Sequence, residues 1–252
     1  MTIIDDIRTE RKKIRNKSLK QKFSYFWTYY KAYFIVAVLI AALVSTFVFK
    51  RKEPEIILSG SMLNVFVKTD QASPEEKIAN EFRKYYEYDP RKKSIELNTA
   101  LFYVANSKNE TYENYQTMQS LLTKTAVGKL DFITGDIQTM LELTYNGFFF
   151  DLREVLSKEQ IEKFEPYILY ADKFVMDKKN EKSSLDSGLS IDIPDCRSPD
   201  KMVEPFPILI DLSKSKIINE TYNYSNDTIS LGISGNRNTE IMNYFLDFII
   251  LQ

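Results

Sequence analysis

Leu130-Asp131-Phe132-Ile133-Thr134-Gly135-Asp136 is the stretch that decides the fold class. Leu130 to Thr134 is short and apolar, as strands buried on both faces of a parallel sheet are. Gly135 turns the chain, and Asp136 carries a side-chain oxygen suited to capping a helix that starts on the next residue. A strand that runs straight into a helix is half of a βαβ unit, so the flanking chain should alternate strands and helices.

It does. Met62 to Thr69 reads as a strand with Leu63, Val65 and Val67 on one side. Ser73-Pro74-Glu75-Glu76 is a capping box with Pro at the first helical position. The helix behind it repeats Ile78, Ala79, Phe82, Tyr85 and Tyr86 on one face, and Asp89-Pro90 ends it. Lys93 to Val104 is a second strand. Glu113 to Val127 is a second helix, expected to pack Tyr115, Met118, Leu122 and Ala126 inward, with Gly128 as a left-handed C-cap. The helix after Asp136 should end near Asn146-Gly147. Ser157 and Gln160 form a capping box that opens a helix toward Tyr170. Lys173 to Gly188 is polar and reads as a loop. Short strands follow at 189–193, 207–212 and 228–233, and an apolar helix closes the chain from Thr239 to about Leu251.

The expected fold is α/β, a parallel or mixed sheet flanked by helices. Such sheets hold ligands beyond the carboxyl ends of their strands, where strand order reverses. Those ends are Thr69-Asp70 and Thr134-Gly135-Asp136, which makes these five residues the candidate ligand contacts. Each also has a structural role open to it: Asp70 and Asp136 can cap helices, and Gly135 can make a turn.

The first fifty residues predict location. Ala32 to Phe49 is uncharged, and eleven of its residues are Leu, Ile, Val or Phe. As a helix it would be about 27 Å long, close to the ~30 Å hydrocarbon core of a bilayer. No small-x-small cleavage site follows, so the segment reads as a retained transmembrane helix. Residues 1–31 carry nine basic and three acidic side chains, against Lys50, Arg51 and Lys52 beyond the span, which places the N-terminus in the cytoplasm. Eight of the twelve residues from Phe23 to Phe34 are aromatic. Trp27, Tyr29, Tyr30 and Tyr33 among them should sit in the headgroup layer. The expected organisation is a cytoplasmic tail (1–31), a transmembrane helix (32–49), a linker (50–60) and an extracellular domain (61–252).

Composition excludes several function classes. Beyond residue 52 the chain carries 22 basic and 32 acidic residues, which argues against nucleic acid as a partner. Histidine is absent, removing Ser-His-Asp and Cys-His catalysis and histidine-ligated metal. There is no phosphate-binding Gly-x-x-x-x-Gly-Lys-Ser/Thr loop and no Gly-x-Ser-x-Gly elbow. Cys196 is the only cysteine, so no internal disulfide forms, as suits a bacterial surface better than an animal one. The chain reads as non-enzymatic, with no cofactor and no metal expected.

Several motifs then converge. Val65-Phe66-Val67, the long helix after it, the Leu130–Asp136 strand and Phe149-Phe150-Asp151-Leu152 resemble the first lobe of extracellular solute-binding proteins that serve ABC transporters. Ile229 to Asn236, followed by Asn243 to Phe248, resembles their returning strand and closing helix. Lys22 to Tyr30 and the span resemble anchored membrane proteins of clostridia. Residues 61–170 carry the likeness loosely and 205–252 weakly. It implies a periplasmic-binding-protein-like fold, with a second lobe reduced by the short stretch 171–228. It further implies a small polar solute as ligand, with membrane lipid and a transporter permease as partners. The alternative is a non-catalytic envelope scaffold or interaction protein on the same fold.

Overall fold

The computed structural model describes residues 18–49, 54–68, 74–105, 111–182, 193–224, 228–235 and 237–251. It divides into two compact units, Met1–Glu53 and Pro54–Gln252.

Among the described residues the first unit contains helix α1 (Leu19–Phe49), so the 32–49 segment belongs to a longer helix. Among the described residues no single helix is long and apolar enough to cross a membrane. The stretches Leu19–Thr28 and Tyr30–Ser45, meeting at a 78° bend, pass that test together by length and composition. Ile35, Val36, Val38, Leu39, Ile40, Leu43 and Val44 are each 50–61 % exposed.

The second unit is α/β. Its elements are β1 (Glu55–Leu63), β2 (Val65–Val67), α2 (Pro74–Tyr86), β3 (Lys93–Leu101), α3 (Tyr112–Ala126), β4 (Phe132–Asp136) and α4 (Ile137–Tyr145). There follow α5 (Leu152–Val155), α6 (Lys158–Phe164), β5 (Ile168–Asp172), α7 (Lys173–Lys182), β6 (Pro205–Asp211), α8 (Lys216–Thr221), β7 (Tyr222–Tyr224), β8 (Ile229–Ile233) and α9 (Thr239–Leu251). Six strands form one sheet in the order β3-β1-β4-β8-β6-β5. β3, β1 and β4 run parallel; β8, β6 and β5 join by antiparallel pairing. β2 and β7 make a separate antiparallel ribbon.

Several expectations are corrected. The linker over 50–60 is a strand from Glu55 onward, because its backbone bonds to β3 on one side and β4 on the other. Ile57 to Leu63 is buried on both faces, so no alternation announces the strand. The strand expected over 62–69 is broken at Asn64, whose φ of +56° ends β1 and starts β2. The helix opened by Ser157 stops at Phe164, where Pro166 forces a 3₁₀ turn, and Tyr170 lies in β5. The loop expected over 173–188 is helical to Lys182, and Phe174 N–H donates to the buried Asp172 carboxylate at 3.1 Å at its start. Among the described residues no second lobe separates out: β5 and β6 extend the same sheet instead.

The two faces of the sheet carry different cores. On one face Leu58, Met62, Phe132, Leu231 and Ile233 pack with Phe82 of α2 and with Phe245 and Phe248 of α9. The ring centroids of Phe132 and Phe245 lie 4.9 Å apart, and those of Phe82 and Phe245 5.3 Å apart. On the other face Leu63, Ile133 and Leu209 meet Leu121 of α3 and Met140 and Leu143 of α4. Asp131, almost wholly buried, ties the edge of this layer down. It accepts from Ser59 N–H at 2.7 Å and pairs through both oxygens with Arg237 ahead of α9.

Helix α3 is rotated from its expected setting. Its buried residues are Asn114, Thr117 and Leu121, while Tyr115 and Leu122 face solvent. Polar groups set this rotation. The Asn114 side chain accepts from Val104 N–H at 2.9 Å and donates to Val104 C=O at 3.0 Å, and the Thr117 hydroxyl donates to Phe102 C=O at 2.8 Å. The backbone after β3 thereby finds the partners that burial requires.

Candidate functional site

Strand β1 lies between β3 and β4, so the chain leaves it to one side first and then the other. The crevice beyond the carboxyl ends of β1 and β4 is therefore where a ligand is expected in this architecture. Thr134, Gly135 and Asp136 do lie at that end of β4. The chain fills the crevice itself. Asn64, 9 % exposed, donates through Nδ2 to Asp136 Oδ2 at 2.9 Å and to Tyr103 C=O at 2.7 Å, and its Oδ1 accepts from Tyr103 N–H at 2.8 Å. Asp136, 4 % exposed, caps α4 by accepting from Thr139 N–H at 3.1 Å and from the Thr139 hydroxyl at 2.8 Å. The Thr134 hydroxyl lies 3.1 Å from that of Tyr224, joining β4 to the β2–β7 ribbon. Gly135 is a residue of β4 and not the turn expected of it, and a Cβ there would meet Leu63 and Met140 only at ordinary contact distance, 3.4 Å. Asp136 thus plays its capping role as expected, and Asn64 is the partner that sequence reasoning missed. Its signal was an asparagine at the end of an apolar strand, where a short polar side chain tolerates the left-handed region. Thr69 and Asp70 lie outside the described residues.

Immediately beside this plug is a cleft of about 460 Å³. One wall is the outer face of α4: Ile137, Gln138, Leu141 and Glu142 recur at helical spacing. Facing it are Ile193, Pro194, Asp195, Cys196 and Arg197, with Lys179 of α7. Ile137, Leu141, Ile193 and Pro194 supply apolar surface, four charged side chains supply both signs, and Gln138 and Cys196 complete the lining.

These charged groups are held in place. Tyr103 Oη donates to Glu142 Oε1 at 2.7 Å. Lys179 Nζ donates to Asn146 Oδ1 at 3.2 Å. Arg197 Nη2 donates to Asp211 Oδ2 at 2.8 Å, which raises the Arg197 pKa further above its ordinary value. Burial works against the Asp211 carboxylate, but Ser213, through hydroxyl and backbone N–H, and Arg197 outweigh it and hold its pKa below the usual range. Asp195 shapes its own turn, accepting from Arg197 N–H at 3.0 Å. The Cys196 thiol is almost fully buried, and burial pushes its pKa up, keeping it in the unreactive protonated form. Among the described residues no group of three or more Cys, Asp or Glu side chains gathers as a metal site would. What the arrangement can do is hold a small polar molecule by charge-assisted hydrogen bonds over an apolar floor.

On α1, Trp27, Tyr30 and Tyr33 are exposed, and Trp27 stacks on Phe23 with centroids 6.2 Å apart. The Tyr29 side chain lies outside the described residues. No protein family, curated protein or solved structure matches this chain.

Proposed function

We propose that this chain is a membrane-anchored, solute-binding-like protein of the cell surface, which takes a small polar solute into the cleft between α4 and residues 193–197. The observation that carries the reading is the cleft itself. It has the volume of a small-molecule site, an apolar floor, and converging charged groups that neighbouring side chains hold in place. It lies one helix face away from the strand ends at which this architecture binds ligands. Attachment to the membrane, with the N-terminus cytoplasmic, is supported by the charge distribution of residues 1–52. The half-exposed apolar side chains of α1 also support it, since water is a poor solvent for so long an apolar surface. A transporter permease is the partner such a protein would serve. The test is a thermal-shift screen of the full chain in detergent with sugars, peptides, amino acids and anions, repeated on Leu141→Trp, which obstructs the cleft's apolar floor. A shift abolished by the substitution supports the reading; no shift with any probe refutes it.

One observation favours a second reading, an interaction protein of the envelope. Tyr112, Tyr115 and Leu122 of α3 are 53–74 % exposed, and so, nearly as much, is the Phe66–Phe102 ring pair, with centroids 5.7 Å apart. Crosslinking through a photoreactive residue at Tyr115 in intact membranes, recovering one defined protein, would support this second role.

A further inference from the structure

We infer that Leu19–Thr28 is a docking segment for anionic phospholipid: it lies along the membrane surface, while Tyr30–Phe49 turns away from it and crosses. The inference rests on the membrane-anchored reading above and is independent of any solute. Its basis is the 78° bend between Leu19–Thr28 and Tyr30–Ser45. Aromatic rings close on each other across that bend. Eight residues of straight helix would separate Phe26 from Phe34 by about 12 Å along the axis. Their ring centroids are 5.9 Å apart, and those of Trp27 and Phe34 are 6.5 Å apart. Thr28, the last residue before the bend, donates its hydroxyl to the Ser24 carbonyl at 2.8 Å, a bond of the kind that bends helices.

The segment is amphipathic. At ~100° per residue, Leu19, Phe23, Phe26, Trp27 and Tyr30 fall on one face. Phe23 stacks on Trp27 with centroids 6.2 Å apart and Phe26 on Tyr30 at 5.8 Å, and all five side chains are exposed. Positions 20 and 22, both lysine, fall on the two flanks of that stripe, and Gln21, Ser24 and Thr28 lie opposite it. A helix lies flat on anionic lipid when its apolar face enters the interface and lysine stems at the borders reach out to the phosphates. α1 contains three lysines and no acidic residue, and residues 1–18 add six basic side chains against three acidic ones. The field of a negatively charged leaflet therefore attracts this end of the chain. Continuity with the apolar stretch Tyr30–Ser45 fixes the occupant, since a bilayer that takes up that stretch lies against the rings preceding it.

Tryptophan fluorescence of the full chain reconstituted into vesicles tests this. Trp27 is the only tryptophan, so Trp27→Phe combined with Leu19→Trp moves the reporter to the far end of the segment. With the span along the membrane normal, a straight helix would carry position 19 about 12 Å further from the bilayer than Trp27; at 78° the difference is about 2–3 Å. Vesicles are made of phosphatidylcholine alone or of equal parts phosphatidylcholine and phosphatidylglycerol, each doped with phosphatidylcholine brominated near the headgroup end of its acyl chains. In the anionic vesicles the reporter at position 19 should be quenched as strongly as native Trp27, and more strongly than in phosphatidylcholine alone. Lys20→Gln with Lys22→Gln should weaken docking about fivefold per lysine, and high salt should act in the same direction. A reporter that escapes the brominated lipid in anionic vesicles overturns the inference, and so does quenching that is equal in the two compositions or unchanged by the lysine substitutions. Those outcomes leave membrane anchoring standing where the chain stays with the vesicles through an alkaline carbonate wash. Release by that wash overturns anchoring and the inference together.

Discussion

Gly60→Ala should destabilise the sheet through space alone. Gly60 lies mid-strand in β1 and pairs with Phe132 of β4, and its φ lies outside the left-handed region, so conformational freedom is not what the position needs. A Cβ built there would lie 2.1 Å from Cζ of Phe132 and within 2.6 Å of both Cε atoms. The ring cannot swing clear easily. It is 1 % exposed and packs on Phe245, whose centroid is 4.9 Å away. Overpacking of this kind costs about 1–3 kcal/mol, and the loss of glycine's unfolded-state entropy returns roughly 0.4–1 kcal/mol. Taking the middle of each range, the net cost is about 1.3 kcal/mol, or a fall in melting temperature of roughly 3–5 °C for a unit of this size. Urea unfolding of the full chain in detergent, followed by circular dichroism, measures it. Phe132→Leu provides the control: in that background Gly60→Ala should cost clearly less, because the atoms it collides with are gone. If Gly60→Ala is neutral in the native background, or costs the same in both, the reasoning fails.

Tyr222 and Tyr224 lie in one strand and should answer oppositely to loss of the hydroxyl. The Tyr222 hydroxyl is buried with no hydrogen-bond partner among the described residues, so Tyr222→Phe should be neutral or stabilise by up to about 1 kcal/mol. Tyr224→Phe strands the buried Thr134 hydroxyl and should cost about 1–2 kcal/mol in the same unfolding assay. Asn64→Gly keeps the left-handed turn and removes the plug's bonds to Asp136 and Tyr103. It should cost about 2 kcal/mol, whereas Asn64→Ala should cost roughly 1–2 kcal/mol more through backbone strain. Asp211 has a depressed folded-state pKa, so its stabilising contribution is complete above the unfolded value of about 3.9 and is lost as pH falls through the folded value. Melting temperatures from pH 6 downward should therefore drop more steeply below pH 4 in the native chain than in Asp211→Asn; parallel curves would contradict the assignment.

Local signals were legible wherever a single residue's chemistry decides the backbone. Asp136 caps α4, Ser157 and Gln160 close a capping box, Gly128 has φ +64°, and the apolar run 239–251 is the closing helix, all as read from the residues. Errors arose where a distant partner decides. Tyr115 and Leu122 have the periodicity of a core face, but the carbonyls of Phe102 and Val104 needed Thr117 and Asn114 more, and the helix turned accordingly. Residues 55–60 look like a spacer until β3 and β4 flank them. The candidate site shows the same division. Thr134 to Asp136 do close a strand, although Gly135, read as a turn, lies within it, and nothing local reveals that Asn64 occupies the crevice beside them. The cleft draws on α4, α7 and residues 193–197, which have no sequence relation to one another.

Taken alone, the amino-acid order determined the alternation of strands and helices, the basic and aromatic lead into an apolar helix, and the absence of histidine chemistry. These follow from periodicity, capping and composition, which act over a few residues. The order of strands in the sheet, the antiparallel half, the rotation of α3 and the cleft beside α4 were decided only in three dimensions. They depend on which buried polar groups find partners and which rings find space, and those partners lie tens of residues away along the chain.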